Sequence, residues 1–253
     1  MILDDFKLDG KVAIVTGAST GLGEGIAAAL AQAGADIVGV ARSSCSGARA
    51  EAEAAGRSFC EINADLSTTE PIERIVSGAL ERFGHVDILV NNAGIIYRQD
   101  ALDFEEKGWD SVISLNLKSL FFLSQRVAKQ FVAQGRGGKI INLASMLSYQ
   151  GGIRVASYTA SKSGVLGLTR LLANEWAKYG INVNAIAPGY MITNNTAALR
   201  SDEKRYNEIL DRIPAGRWGT PEDLGGLAAF LASRASDYIH GFSIAADGGW
   251  LAR

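Results

Sequence analysis

Seven short apolar runs rich in β-branched residues, at 12–15, 37–40, 59–62, 88–90, 139–143, 183–186 and 242–245, recur along the 253-residue chain. The stretches between them are longer, and at 26–30, 72–83, 109–131 and 165–176 they repeat apolar side chains at helical spacing. A strand that passes through a helix before the next strand returns parallel to its neighbour, and the helices cover both faces of the sheet. Ala13-Ile14-Val15 has no polar alternation, as burial on two faces requires. The pattern predicts an α/β fold, a doubly wound parallel sheet of about seven strands with helices on both faces. No Pro-rich, Ser-rich or charged linker divides the chain, so one domain over 1–253 is expected.

In open sheets of this kind ligands sit beyond the carboxyl ends of the strands, so the residue after each run carries the most information. After the first run comes Thr16-Gly17-Ala18-Ser19-Thr20-Gly21-Leu22-Gly23, then a helical segment. Glycines there let the backbone approach a pyrophosphate, and a helix N-terminus offers unpaired N–H groups. The spacing is Gly-x-x-x-Gly-x-Gly, which departs from the more familiar Gly-x-Gly-x-x-Gly. Asp65-Leu66 follows the third run and Asn91-Asn92-Ala93-Gly94 the fourth, where polar groups can meet an adenine edge or brace neighbouring backbone. Asn116 interrupts an apolar helix and needs partners, as a structural bridge or as part of a water path. Ser145 ends the fifth strand.

Tyr158 and Lys162 stand four residues apart in a helical stretch, which puts a phenol and an ammonium on one face. Ionising a phenol near neutral pH against its ordinary pKa costs about 4 kcal/mol, and a nearby cation supplies help of the right sign. After Pro188-Gly189 the chain loses periodicity as far as Arg212, and the region near 189–215 reads as a substrate lid. Thr220 is placed to cap a further helix with Pro221 at its first position.

Residues 16–23, 91–94, Asn116, Ser145, Tyr158, Lys162 and Pro188-Gly189 resemble, in order and spacing, the motif set of the short-chain dehydrogenase/reductase family, and the likeness covers nearly the whole chain. The resemblance implies a Rossmann fold and an NAD(P)-dependent oxidoreductase acting on CH–OH groups. It assigns Gly17, Ser19, Gly21, Leu22 and Gly23 to the pyrophosphate turn, and Asp65, Leu66, Asn91, Ala93 and Gly94 to the rest of the dinucleotide, with Asp65 and Asn91 on its adenosine half. Pro188 and Gly189 complete that set. Lys162 is expected to bind the nicotinamide ribose and lower the Tyr158 pKa, so that Tyr158 serves as base in oxidation and acid in reduction. Ser145 is expected to hold the reacting oxygen, and Asn116 a water leading to Lys162.

The second strand ends Val40-Ala41-Arg42 with no acidic residue to grip ribose hydroxyls, so Arg42 can pair a 2′-phosphate or stack on adenine. Thr20 supplies no second cation. These residues lean to NADP. Segments 151–158, 174–178, 188–191 with 194–196, 213–219 and 247–253 are similar to the 2-deoxy-D-gluconate 3-dehydrogenase subgroup, which acts on keto-deoxy sugar acids in the breakdown of pectin-type uronates, commonly with NAD. That resemblance moves the expectation narrowly to NAD. A sugar acid needs a cation for its carboxylate, and Arg98 and Arg154 are the candidates, with Gln150, Tyr190 and Trp250 against the hydroxyl face. Rival readings are a 3-oxoacyl-carrier-protein reductase, a general alcohol or sugar dehydrogenase, and a nucleotide-sensing regulator without turnover. Lys118, Arg126 and Lys129 do not group with Arg98 as a carrier-protein patch.

Composition narrows the partners. With 25 basic and 27 acidic residues and no basic run, nucleic acid is not expected. The first residues lack the basic-then-apolar order of a signal peptide and no run reaches membrane length, so a cytoplasmic protein is expected. Cys45 and Cys60 are too few for a disulfide framework, and no spacing with His85 and His240 suggests a metal. The apolar helices at 109–131 and 157–179 exceed what one sheet face covers, and the family pairs them between subunits, which implies a homotetramer.

Overall fold

The strands are β1 (Val12–Thr16), β2 (Asp36–Ala41), β3 (Phe59–Asn63), β4 (Ile88–Asn91), β5 (Gly138–Leu143), β6 (Ile181–Pro188) and β7 (Ser243–Ala246). The computed structural model describes residues 1–253 and joins these strands in one sheet, every neighbour parallel, in the order β3-β2-β1-β4-β5-β6-β7. The winding direction reverses between β1 and β4, which opens a crevice at their carboxyl ends. Period-2 geometry divides each strand between two cores. Ala13 and Val15, with Ile37, Val90, Ile141 and Ile186, face α1 (Gly21–Gln32) and the later α9 (Gly225–Ala232). Val12 and Ile14, with Val38, Leu89, Ile140 and Val183, face α3 (Ile72–Phe83), α5 (Ser119–Gln134) and α6 (Ala156–Trp176). Each valine, leucine or isoleucine among them, fully buried, is worth about 1.5–3 kcal/mol relative to exposure.

Two helical readings change in the structure. The periodic stretch at 109–131 is two helices, α4 (Glu106–Ile113) and α5, joined by a π-turn at Ser114–Lys118 that holds Asn116 in its middle. A π-turn absorbs one extra residue without ending the helix, so apolar spacing runs through it unbroken. α2 (Ser46–Ala54) had no clear apolar signal because only two alanines, Ala48 and Ala52, are its buried side. Thr220 does cap, in a box with Asp223, but the turn it opens (Pro221–Leu224) is 3-10 before α9 begins.

Beyond Pro188 the chain crosses the sheet edge through α7 (Ala197–Arg200) and α8 (Glu203–Leu210). Its apolar residues Ile209, Ile213 and Trp218 pack with Met146 and Trp250 into a cluster separate from both sheet cores. No helix is long and apolar enough to cross a membrane.

Candidate active site

A cavity of about 420 Å³ follows the carboxyl ends of the strands from β3 to β6. Gly17, Ser19, Gly21 and Leu22 line it from the first turn, Arg42 from β2, Asp65 and Leu66 from β3, and Ala93 and Gly94 from β4. Ser145, Tyr158, Lys162, Pro188 and Gly189 close its other end. Gly17 has φ +67°, and a Cβ there would lie 2.7 Å from Asn92 Nδ2. Gly23 does not line the cavity. A Cβ on it would collide with the Gly17 carbonyl, so its bareness lets α1 seat against the turn. The crevice is tied across its mouth: Thr16 Oγ1 accepts the N–H groups of Asn92 and Ala93, both at 3.0 Å, and Asn92 Nδ2 donates to Thr16 O at 2.9 Å. A bare glycine turn at a helix N-terminus, in a slot that spans six strand ends, fits a nicotinamide dinucleotide.

Asn91 lies elsewhere than expected. It is buried beneath the crevice, and its Nδ2 donates to Ser124 Oγ on α5 and Asn142 Oδ1 on β5, each at 2.9 Å. Asn142 Nδ2 in turn donates to Thr169 Oγ1 on α6 at 3.0 Å, and Thr169 to Val165 O at 2.7 Å. A polar chain with every member partnered is rigid, and it fixes α6 against β5. The neighbouring Asn92 takes the place in the cavity wall. Asn142, Ser124 and Thr169 were missed because an isolated polar residue in an apolar run carries no periodic signal.

α6 carries the reactive groups. Lys162 Nζ donates to Leu143 O at 2.5 Å and lies 5.7 Å from the centre of the Tyr158 ring. Burial lowers the Lys162 pKa to about 8. Burial also pushes the Tyr158 phenol above its ordinary value, opposed in part by the Ser145 hydroxyl and the charge of Arg98. The expected depression of Tyr158 by Lys162 is therefore absent from the protein alone, because desolvation acts on both groups and the lysine's proton is aimed at a carbonyl. Ser145 Oγ accepts the Leu147 N–H at 3.1 Å, which fixes its position and leaves its own proton to donate. Asn116 bridges: Oδ1 accepts from Ile95 N–H at 2.9 Å, while Nδ2 donates to Ile95 O at 3.0 Å and Ser161 Oγ at 3.3 Å. These contacts make Asn116 a bridge from the segment after β4 to α6.

The residues expected around a substrate divide. Arg98 is exposed, donates to Asn195 O at 3.1 Å, and faces no carboxylate. Arg154 has φ +65° and its Nε is 3.0 Å from Asp100 Oδ1, so its charge is already matched on an exposed loop. Gln150 Oε1 accepts the Trp250 indole N–H at 3.1 Å, and Tyr190 meets Trp250 edge-on with ring centres 4.9 Å apart. Missed altogether were Ile96 and Thr193, which line the cavity from loops, and Leu115, which lines it from the π-turn beside Asn116.

Known proteins agree with this geometry. The profile of a family described as enoyl-(acyl carrier protein) reductase matches residues 17–251. The 2-dehydro-3-deoxy-D-gluconate 5-dehydrogenase of Escherichia coli K12 is 64% identical over all 253 residues, covering the full length of both chains. A structure from Agrobacterium tumefaciens, provisionally a 2-deoxy-D-gluconate 3-dehydrogenase, with bound NADP, is 53% identical with TM-score 0.91, covering 99% of this chain and 100% of that one. A gluconate 5-dehydrogenase from Burkholderia cenocepacia J2315, in complex with NADP and tartrate, is 38% identical with TM-score 0.94 and full coverage of both chains. Sheet order, glycine turn and the Ser145, Tyr158, Lys162 constellation coincide with these likenesses: the chain is an oxidoreductase belonging to the short-chain dehydrogenase/reductase family.

Proposed function

We propose that this enzyme transfers a hydride between a nicotinamide dinucleotide and a secondary hydroxyl or ketone of a keto-deoxy sugar acid, with 2-dehydro-3-deoxy-D-gluconate as the substrate, in the breakdown of pectin-type uronates. The observation that carries it is the meeting of Ser145, Tyr158 and Lys162 at one end of the dinucleotide crevice, in a chain 64% identical throughout to an enzyme of that name. Bound nicotinamide accepts or returns the hydride. Tyr158 removes the hydroxyl proton in oxidation and restores it in reduction, and Ser145 donates to the reacting oxygen as charge develops there. Lys162 keeps a positive charge beside the ring, and Asn116 fixes the start of α6 through Ser161. Arg98, free of a carboxylate partner, is the cation for the substrate's acid, with Gln150, Tyr190 and Trp250 forming the wall behind the hydroxyls.

NAD is the preferred cofactor, narrowly. Arg42 is exposed and alone at the end of β2, so a 2′-phosphate gains one solvent-screened contact, worth about 1 kcal/mol or less. NADP is accepted because no acidic residue ends β2 and the charge of Arg42 reaches the nearby Asp65 carboxylate. The exposed Phe122 and Val132 of α5, Leu171 of α6 and Tyr179 support a homotetramer built on these helices. A carrier-protein reductase is disfavoured because Arg126 is held in two hydrogen bonds by Glu73, at 2.7 and 2.8 Å, and offers no free docking charge.

Initial rates decide. With 2-dehydro-3-deoxy-D-gluconate, D-gluconate and a 3-oxoacyl thioester, each tested with both nucleotides, the keto-deoxy acid with NAD should give the highest kcat/KM. A higher value for the thioester overturns the substrate reading. Nucleotide binding without turnover of any of them would make the chain a sensor.

A further inference from the structure

The arginines of the substrate cover are not equivalent. Arg154 pairs with Asp100, Arg205 with Glu208 at 3.0 Å, and Arg217 with Asp223 at 2.6 Å. Arg212 has neither an ion pair nor a side-chain hydrogen bond; its guanidinium carbon lies 4.1 Å from the centre of the Trp250 ring. That ring is itself fixed, buried to 4% exposure, hydrogen-bonded to Gln150 and set against the edge of Tyr190. Tyr190 directly follows Gly189 in the crevice wall. A guanidinium stacked on a fixed indole keeps its in-plane N–H donors free, which is the arrangement that meets a carboxylate in two parallel hydrogen bonds. We propose that Arg212, positioned by Trp250 and Gln150, is a second cationic residue of the substrate site and shares the carboxylate of a sugar acid with Arg98. The charges of Arg98, Arg205 and Arg212 all reach the Tyr190 hydroxyl, where they counter the effect of burial, and only Arg205 among the three has a carboxylate of its own. The two unmatched cations thus flank one aromatic wall, and a neutral sugar would leave both without a partner.

This inference rests on the sugar-acid reading above, and the test separates them. Binding is measured first, by calorimetry on the enzyme holding NAD, with D-gluconate and the neutral D-glucitol as probes. Arg212→Gln should weaken D-gluconate binding about 10-fold and leave D-glucitol and NAD binding within about twofold, the size expected for one charge-assisted hydrogen-bonded contact. Trp250→Leu should weaken D-gluconate at least as much by releasing the guanidinium, with a smaller loss of D-glucitol from the altered hydroxyl wall, and Arg212→Lys should recover only part of the Arg212→Gln loss because the planar stack is gone. In turnover of 2-dehydro-3-deoxy-D-gluconate, Arg212→Gln should raise KM about 10-fold with kcat little changed. Equal effects on D-gluconate and D-glucitol, or none on either, overturn the role of Arg212. Failure of the wild-type enzyme to turn over the keto acid, with the binding difference intact, sinks the substrate reading and leaves the anion site standing.

Discussion

The floor and the cover of the active site are built on different principles. On the floor, formed by β1, β4, β5 and α6, a chain of paired polar side chains joins the elements, Thr16 with Asn92, Asn91 with Asn142, Asn142 with Thr169 and Lys162 with Leu143 O, while the Ser157 and Thr159 hydroxyls of α6 are buried without a partner. The cover from 189 to 215 uses short helices and a small aromatic cluster, Tyr190, Tyr206, Trp218 and Trp250, touching edge-on or stacked. Its Trp218 indole nitrogen is buried without a partner. The floor thus holds the proton-transfer groups in a hydrogen-bonded frame, and the segment proposed as a cover is held by aromatic contacts instead. The comparison predicts that floor changes cost catalysis and stability, while cover changes cost substrate affinity.

The largest effect is expected at Tyr158. Tyr158→Phe removes the proton carrier but keeps the ring against Lys162, so kcat should fall about a thousandfold, the usual scale of general acid–base catalysis. Fluorescence titration should show NADH binding within about twofold of wild type, since the nucleotide's other contacts are untouched. Retained turnover would remove Tyr158 from the chemistry. Next comes Asn142→Ala, deep below the site. It strips partners from Asn91 and Thr169 at once, and leaving buried polar groups unsatisfied costs about 1–3 kcal/mol each. Urea unfolding should show a loss of about 3 kcal/mol; a loss below about 1 would mean that the network does not brace α6.

The contrast between floor and cover also explains what could be read from the chain alone. The strands were legible because double-sided burial writes continuous apolar runs, and Tyr158, Lys162 and Ser145 because they sit at strand ends or on one helix face. Asn91 was legible as a functional position but not in its task, since a strand-end amide can point into the crevice or beneath it, and only packing chooses. The same holds for Arg98 and Arg154, which sequence placed on equal terms. Asp100, an ordinary loop acid, takes Arg154 and leaves Arg98 free. The cover was legible only as a loss of periodicity, because its apolar contacts join residues from 146 to 250.

A smaller effect distinguishes Lys162 as a functional group kept at a structural cost. Its pKa is lowered by burial from 10.5 to about 8, so at neutral pH the folded chain carries a charge it disfavours. Above about 8 the folded state sheds that proton while the unfolded chain retains it until 10.5, and stability rises with pH as long as the unfolded state binds more protons. Cys45 works in the opposite direction from its ordinary 9.0, because burial pushes its thiol up to about 11. The clean window is therefore pH 8 to 9. Across it the free enzyme should gain about 1 kcal/mol in urea unfolding, and Lys162→Met should show no such slope. Parallel slopes in the two proteins would assign the pH dependence to other groups.

The smallest effect probes the cover by itself. Tyr206 stacks on Trp218 with ring centres 5.4 Å apart and planes 2° from parallel, and this pair joins α8 to the cluster under the cover. Such a pair is worth about 0.5–1.5 kcal/mol beyond its buried area. Tyr206→Leu keeps the residue apolar but loses the stack, so α8 should hold its place less firmly over the substrate. KM for 2-dehydro-3-deoxy-D-gluconate should rise about three- to fivefold, while kcat and NADH affinity stay within about twofold, as expected when only binding common to ground and transition states is lost. A tenfold fall in kcat would show that the cover also sets the catalytic geometry, because a displaced α8 would then be felt at Tyr158 through Tyr190 and not merely at the mouth of the pocket.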